Sequence, residues 1–227
     1  MYKFVKRFFD IFLSGLALIL LWPVMLVTAI VVRIKLKGKA IFSQYRPGRK
    51  NKIFKLYKFR SMSNERDKDG NLLPDEVRLT SFGKKLRKTS LDELPQLWNI
   101  FKGDMSIIGP RPRIMQECVF LPDEDLQIRL SVRPGLTGWA QVNGRNNITF
   151  DQVVEYDKEY VKKLSFGMDF KIFFMTIGKV FKSADVNKNG TASNEFYGDM
   201  LLRTNKISKE EYNAKQNQAK ELIDKAI

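Results

Sequence analysis

The chain has 227 residues, with 40 Lys and Arg against 25 Asp and Glu, a formal charge of +15 at pH 7. That length suits one sizeable domain or one domain with an appended segment, and so basic a chain calls for anionic partners: nucleic acid, acidic lipid head groups or phosphorylated substrates. The single cysteine, Cys118, excludes an internal disulfide, and the absence of histidine excludes Ser-His and Cys-His nucleophiles and His-containing zinc sites, leaving carboxylates, lysines, tyrosines and hard cations as chemical tools.

From Ile11 to Val32 there are 22 uncharged residues, long enough to cross a bilayer at about 1.5 Å per residue. The run is too long for a signal peptide and no small-x-small cleavage site follows it. Pro23 falls in its middle, where a proline removes an intrahelical hydrogen bond and kinks or breaks a helix. Both flanks are basic: Lys3, Lys6 and Arg7 before, Arg33, Lys35, Lys37 and Lys39 after. Positive charge collects on the cytoplasmic side, so symmetric flanks favour a segment that enters and returns by one face. The expectation is a re-entrant helix-break-helix, with a kinked spanning helix as the alternative.

Ile41–Tyr45 and Ile53–Phe59 are rich in β-branched and aromatic residues around the basic loop Arg46-Pro47-Gly48-Arg49-Lys50-Asn51-Lys52, which reads as a β-hairpin. On its second strand Lys58 and Arg60 share one face. A polar connection follows, with a turn at Asp67-Lys68-Asp69-Gly70-Asn71. Ser81–Thr89, with Phe82 and Leu86 four apart among Lys84, Lys85, Arg87 and Lys88, reads as a basic amphipathic helix suited to a membrane surface or another anion.

The run Ser90-Leu91-Asp92-Glu93-Leu94-Pro95-Gln96-Leu97-Trp98 places two adjacent carboxylates ahead of a proline and an apolar-periodic segment. A helix should begin near Leu94 or Pro95, with Asp92 and Glu93 at its mouth, where the exposed amides and the dipole favour an anion. Taken alone, this is an acidic turn that caps a helix. Leu94, Leu97, Trp98 and Phe101 continue an apolar helical stripe. Two loops punctuated by glycine and proline follow, residues 102–113 and 132–145. Arg111, between two prolines, has little backbone freedom and suits a preorganised guanidinium for phosphate. Asp151–Val161 and Phe170–Phe181 read as helices. Asp185-Val186-Asn187-Lys188-Asn189-Gly190 opens like a calcium loop, but Phe196 stands where the bidentate glutamate belongs. Ser208-Lys209-Glu210-Glu211 is a capping box opening a final, mostly polar helix, read as a peripheral appendage.

Arg46-Pro47-Gly48, Tyr57-Lys58-Phe59-Arg60-Ser61-Met62, Leu91-Asp92-Glu93-Leu94-Pro95-Gln96, Gly103-Asp104-Met105-Ser106, Gly109-Pro110-Arg111-Pro112 and Val132-Arg133-Pro134-Gly135-Leu136-Thr137-Gly138 together resemble the monotopic phosphoglycosyl transferases, bacterial sugar transferases, and most the small PglC-like type. The resemblance runs from the membrane segment to about Ser183. It implies transfer of a phosphosugar from a UDP-sugar to a polyprenol phosphate, usually undecaprenyl phosphate, with release of UMP at the cytoplasmic face of the bacterial inner membrane. It implies Asp92 as the nucleophile of an aspartyl-phosphosugar intermediate, Glu93 as its partner, and Mg²⁺ as cofactor, held by Asp92 with Glu93 as the second candidate ligand. It also implies Lys58, Arg87, Arg111 and Arg145 as phosphate-binding cations. Trp22-Pro23 departs from the Ser-Pro often found at the membrane break in small members.

The expected architecture is α+β and helix-rich: a re-entrant anchor over residues 1–36, a catalytic domain over 37–183 with a small β-hairpin and interfacial amphipathic helices, and an extension over 184–227. A carboxylate attacking a diphosphate meets like charge, which cations must neutralise, and a carboxylate is already ionised at pH 7. An aspartate nucleophile splits one transfer into two displacements, so a soluble donor and a lipid acceptor use one site in turn, with ping-pong kinetics. The alternatives are a magnesium-dependent hydrolase of lipid-linked phosphates and a membrane-tethered nucleic-acid binder, although charge alone specifies no such partner and nucleic acid is not expected.

Overall fold

A computed structural model describes residues 1–144, 148–181 and 196–225. The elements run α1 (Tyr2–Leu36), β1 (Ile41–Pro47), β2 (Ile53–Phe59), α2 (Asp75–Arg78), α3 (Ser81–Lys88), α4 (Gln96–Lys102), β3 (Ser106–Ile108), α5 (Met115–Cys118), α6 (Asp123–Leu130), β4 (Gly135–Thr137), α7 (Trp139–Asn143), α8 (Phe150–Lys162), α9 (Phe166–Phe181), α10 (Tyr197–Arg203) and α11 (Lys209–Asp224). Helix predominates, as the sequence leads one to expect. The described residues form two units: Met1–Gln44, Leu56–Gly103 and 176–181 in the first, Tyr45–Lys55, Asp104–Met175 and 196–225 in the second.

In the first unit α1 is long and apolar enough to cross a membrane, with a mean hydropathy of 2.6 over its most apolar window. It runs as one helix over Tyr2–Leu36 with Pro23 inside it. Proline lacks one N–H and crowds the preceding turn, which can bend a helix without ending it. Two polar side chains turn back on the helix: Ser14 Oγ donates to the Asp10 carbonyl and Thr28 Oγ1 to the Val24 carbonyl at 2.7 Å. At the C-terminal end Val32 and Leu36 pack with Phe59 of β2 and Leu86 of α3, flanked by Leu91 and Leu94. Burying each such side chain contributes roughly 2 kcal/mol, so this cluster fixes the strand, the basic helix and the segment between α3 and α4 against one another. At the other end Arg7 donates to the carbonyls of Ile100 (2.7 Å) and Phe101 (2.9 Å), capping the C-terminus of α4.

The second unit contains a pairing that sequence periodicity does not announce. β3 and β4, three residues each, pair in parallel with Ser106 opposite Gly135 and Ile108 opposite Thr137. The two glycine-rich loops are therefore one structure. A Cβ on Gly135 would come within 2.1 Å of the Gly109 nitrogen, and one on Gly138 within 2.1 Å of the Gly109 carbonyl oxygen, so the backbones approach too closely for side chains. Ile108, Val132, Trp139, Val142, Tyr160 and Ile172 form the core beside it. The buried Tyr160 hydroxyl donates to Asp169 Oδ1 at 2.8 Å, one of the contacts that seat α8 on α9. Thr149 and Gln152 close a capping box at the start of α8.

The final helices are integral to this unit. Ser208 Oγ accepts from the Glu211 amide, the cap expected from the sequence. The helix is not peripheral, however: Ala219 is fully buried, and with Leu201 it packs on Met115, Cys118, Val119 and Phe120. The calcium-like stretch of residues 185–190 lies outside the described residues.

Candidate active site

Three short-range devices assemble the first unit's polar cluster. Gly83 of α3 lies against the Ser61 carbonyl, where a Cβ would come within 1.9 Å, so α3 sits directly on the end of β2. Asn99 of α4 accepts from the Tyr57 amide at 3.1 Å and ties α4 to the same strand. Ser90 then adopts φ 56°, a left-handed conformation uncommon for a residue with a side chain, and reverses the chain out of α3. The residues between, Leu91–Glu93, form a 3₁₀ turn ahead of α4, whose N-cap is Pro95. The carboxylates thus occupy their own turn and not the first turn of the helix.

That turn separates the two acids. Asp92 is buried, with 7% of its surface exposed. Glu93 forms an ion pair with Lys58 Nζ at 3.0 Å. Arg87 donates from Nε to Ser61 Oγ at 2.9 Å. Burial pulls the Arg87 pKa below its ordinary value, and the negative charges of Asp92 and Asp75 oppose that shift. Lys58, Arg87, Asp92 and Glu93, singled out separately in the sequence, therefore belong to one unit and one electrostatic cluster. Ser61, which orients Arg87, carried no signal beyond its place in the strand-end motif.

Arg111 falls in the second unit, in a cluster with Arg46, Arg113 and Arg129. Arg129 donates from Nε to Asp157 Oδ2 at 2.8 Å, deeply buried, and from a terminal nitrogen to the Arg111 carbonyl at 3.1 Å. Burial pulls the Arg129 pKa down, but Asp157, with Cys118 and Glu117 behind it, outweighs burial and holds it above its ordinary value. Arg46 donates to the Pro112 carbonyl at 3.4 Å. Its burial, and next the like charge of Arg111, push its pKa down to about 10. The sequence pointed to Arg111 through its two prolines; the burial of Arg46, Arg113 and Arg129 around it depends on long-range packing. Arg145 lies outside the described residues.

Among the described residues no three metal-binding side chains of the His, Cys, Asp and Glu types come together. Two adjacent carboxylates are nonetheless the donor set that suits Mg²⁺, which takes one or two protein carboxylates and completes its shell with substrate phosphates and water.

The whole N-terminal part of the chain, residues 1–183, matches the bacterial sugar transferase family. The chain belongs to that family. It is 45% identical over 195 residues to the uncharacterized sugar transferase EpsL of Bacillus subtilis, covering 86% of this chain and 96% of that protein. It is 39% identical over 186 residues to UDP-N-acetylgalactosamine-undecaprenyl-phosphate N-acetylgalactosaminephosphotransferase of Aeromonas hydrophila, covering 78% of this chain and 43% of that protein. It is 41% identical over 188 residues to UDP-glucose:undecaprenyl-phosphate glucose-1-phosphate transferase of Escherichia coli, covering 79% of this chain and 40% of that protein. This sugar transferase thus spans nearly all of the first relative and less than half the length of the other two. Family and long apolar helix together place it at a membrane.

Proposed function

We propose that the chain transfers a sugar 1-phosphate from a UDP-sugar to undecaprenyl phosphate or a similar polyprenol phosphate, releasing UMP, as the membrane-committing step of glycoconjugate or polysaccharide assembly. The observation that carries this reading is the division between the two carboxylates: Lys58 holds Glu93 at 3.0 Å, while Asp92 is buried in the turn within the field of Arg87. The activities for which the Aeromonas and Escherichia relatives are named support the substrate classes.

In the first displacement the Asp92 carboxylate attacks the phosphorus that bears the sugar. The phosphoanhydride bond breaks and UMP departs with its electron pair. In the second, a phosphate oxygen of the polyprenol phosphate attacks the same phosphorus, the acyl phosphate bond breaks, and the carboxylate returns to Asp92. Two displacements at one carboxylate give ping-pong kinetics. Lys58, Arg87, Arg111 and Arg145 offset phosphate charge, the arginines with their bidentate forks and Lys58 as a point charge that also positions Glu93. Asp92 and Glu93 are the residues that would hold Mg²⁺, which when bound neutralises the phosphate oxygens of the donor.

We also propose that α1 is re-entrant and that the protein is monotopic on the cytoplasmic face. Arg7 is tied to α4 and the Leu36 carbonyl accepts from Arg60 at 2.8 Å, so both ends of the segment are fastened to the unit that carries Asp92. Pro23, the one proline in the helix, is the place for it to turn. Cysteines placed at Tyr2 and Lys39 should label from the cytoplasmic side alone; labelling from opposite sides would rule the hairpin out. Function is tested by screening UDP-sugars for UMP release: sustained release, beyond about one UMP per chain, that requires undecaprenyl phosphate is the expected result, and sustained release to water alone would make the protein a hydrolase.

A further inference from the structure

The helix that follows the carboxylate turn lies along the membrane helix. The C-terminal end of α4 sits on the N-terminal part of α1: Arg7 donates to the Ile100 and Phe101 carbonyls, and the Phe101 ring lies 3.2 Å from where a Cβ would stand on Gly15. Leu91 and Leu94, just ahead of α4, pack against the cluster of Val32 and Leu36 together with Met25 and Ala29. α4 therefore runs back along α1 in the opposite direction. The buried side of α1 is a narrow stripe that includes Ser14, Thr28, Val32 and Leu36. Outside that stripe α1 stays apolar and exposed, as at Ile19, Leu20 and Trp22.

The outer side of α4 is apolar as well. Its two amide side chains, Gln96 and Asn99, are buried with Leu97 and Ile100, and Asn99 is used there on the Tyr57 amide. Trp98 and Phe101, three residues apart and hence on one face, are 49% and 39% exposed, and their rings stack with centroids 5.8 Å apart. Two outward aromatic rings continuous with the exposed face of an apolar helix form a surface for hydrocarbon and not for water.

That surface starts at the candidate site. Trp98 and Phe101 follow Asp92 by six and nine residues, about 9 and 14 Å at a helical rise. An acceptor whose phosphate reaches Asp92 leaves its chain in the bilayer, and the outer face of α4 leads from the turn to α1. Tethering at the phosphate raises the local concentration of the first chain segment over these rings far above that of any untethered acyl chain. Flat aromatic faces offer large apolar area to a methyl-branched, unsaturated chain.

We propose that the outer face of α4, Trp98 with Phe101, binds the phosphate-proximal isoprenoid units of the lipid acceptor. The inference rests on the phosphosugar-transfer reading and names the part of the substrate that α4 recognises.

Farnesyl phosphate and dodecyl phosphate have main chains of equal length, but only the first carries methyl branches and double bonds. Each is titrated as a competitor of undecaprenyl phosphate during transfer by the full chain in lipid nanodiscs. The unsubstituted chain should favour farnesyl phosphate roughly 10-fold, the discrimination that a methyl group or two provides in an apolar site. Trp98→Ala should weaken farnesyl phosphate roughly 10-fold, as truncation of an aromatic anchor does. Dodecyl phosphate should lose much less, so the preference falls to about two-fold or below, and Trp98→Phe should keep most of it. The ratio decides, because a lost membrane contact or a displaced α4 weakens both competitors alike. Should Trp98→Ala fail to fold by thermal melt, Trp98→Leu, which keeps apolar bulk without an aromatic face, takes its place. An unchanged preference, or equal losses for the two competitors, overturns the proposal and leaves the face to acyl chains. Transfer by the unsubstituted chain with no preference between the competitors overturns the proposal alone; no transfer to undecaprenyl phosphate overturns the transfer reading, and the proposal with it.

Discussion

The 3₁₀ turn of the first unit and the arginine cluster of the second manage charge in opposite ways. Around Asp92 and Glu93, acids meet bases at short range, with Lys58 on Glu93 at 3.0 Å and Arg87 in the field of Asp92. Around Arg46 and Arg113, cations crowd one another and burial weakens their hold on the proton. The first arrangement is electrostatically close to balanced before any substrate arrives, as suits a nucleophile that must stay ionised. The second is held by burial and by its acids, with Asp157 on Arg129 at 2.8 Å and Glu117 at 3.6 Å from Arg113. Substitutions should therefore separate the two regions: in the turn they should cost turnover, in the cluster they should change stability.

The largest expected effect is on turnover. Asp92→Asn should lower kcat at least about 10³-fold, in the range for loss of a nucleophile, while membrane association is unchanged. Glu93→Gln should fall short of that loss, and metal titration of the variant separates a metal ligand from a positioning group. Next comes Asp157→Asn, which leaves Arg129 buried without its counter-charge. Breaking a buried pair on one side costs about 3–5 kcal/mol, to be read as a lowered denaturation midpoint. Gly83→Ala should follow. With a Cβ within 1.9 Å of the Ser61 carbonyl, α3 must shift, at a cost of about 1–3 kcal/mol, and Arg87 moves with it, so stability and turnover fall together.

The smallest effect has the opposite sign. The folded pKa of Arg46, about 10, lies below that of a solvated arginine, so the unfolded chain binds that proton more tightly. Folding is then penalised at every pH below about 10, and the penalty fades as pH rises past that value. Arg46→Met removes the penalty and should raise the melting temperature by a few degrees, on the scale of about 2–4 °C per kcal/mol for a chain of this size. A lowered melting temperature would contradict that reading.

Legibility in the sequence followed the range of the interactions. The hairpin, α3 and the helix after Pro95 were readable because periodicity and proline act locally, and Lys58, Arg87, Asp92 and Glu93 all lie within 36 positions that the strand and helix patterns bring into register. The parallel pairing of β3 with β4 was not readable: three-residue strands have too few positions to show alternation, and their glycines look like turns until the backbones are seen to touch. The Arg129–Asp157 pair and the seating of α11 were hidden for the same reason. An arginine in a charged helix and three apolar residues on a polar one, Ala219, Leu222 and Ile223, give no local sign of what they meet. Pro23 was legible as the one proline inside the apolar helix, whose backbone lacks an N–H at that point.

The central claim is that Asp92 carries the phosphosugar between the two displacements. Intact and peptide mass spectrometry of the chain, mixed with an accepted UDP-sugar in the absence of any polyprenol phosphate, tests it most directly. The expected result is a phosphosugar adduct on the peptide containing Asp92, formed with about one UMP per chain as a ping-pong burst and discharged when undecaprenyl phosphate is added. UMP release only when both substrates are present, with no adduct at any time, would contradict it.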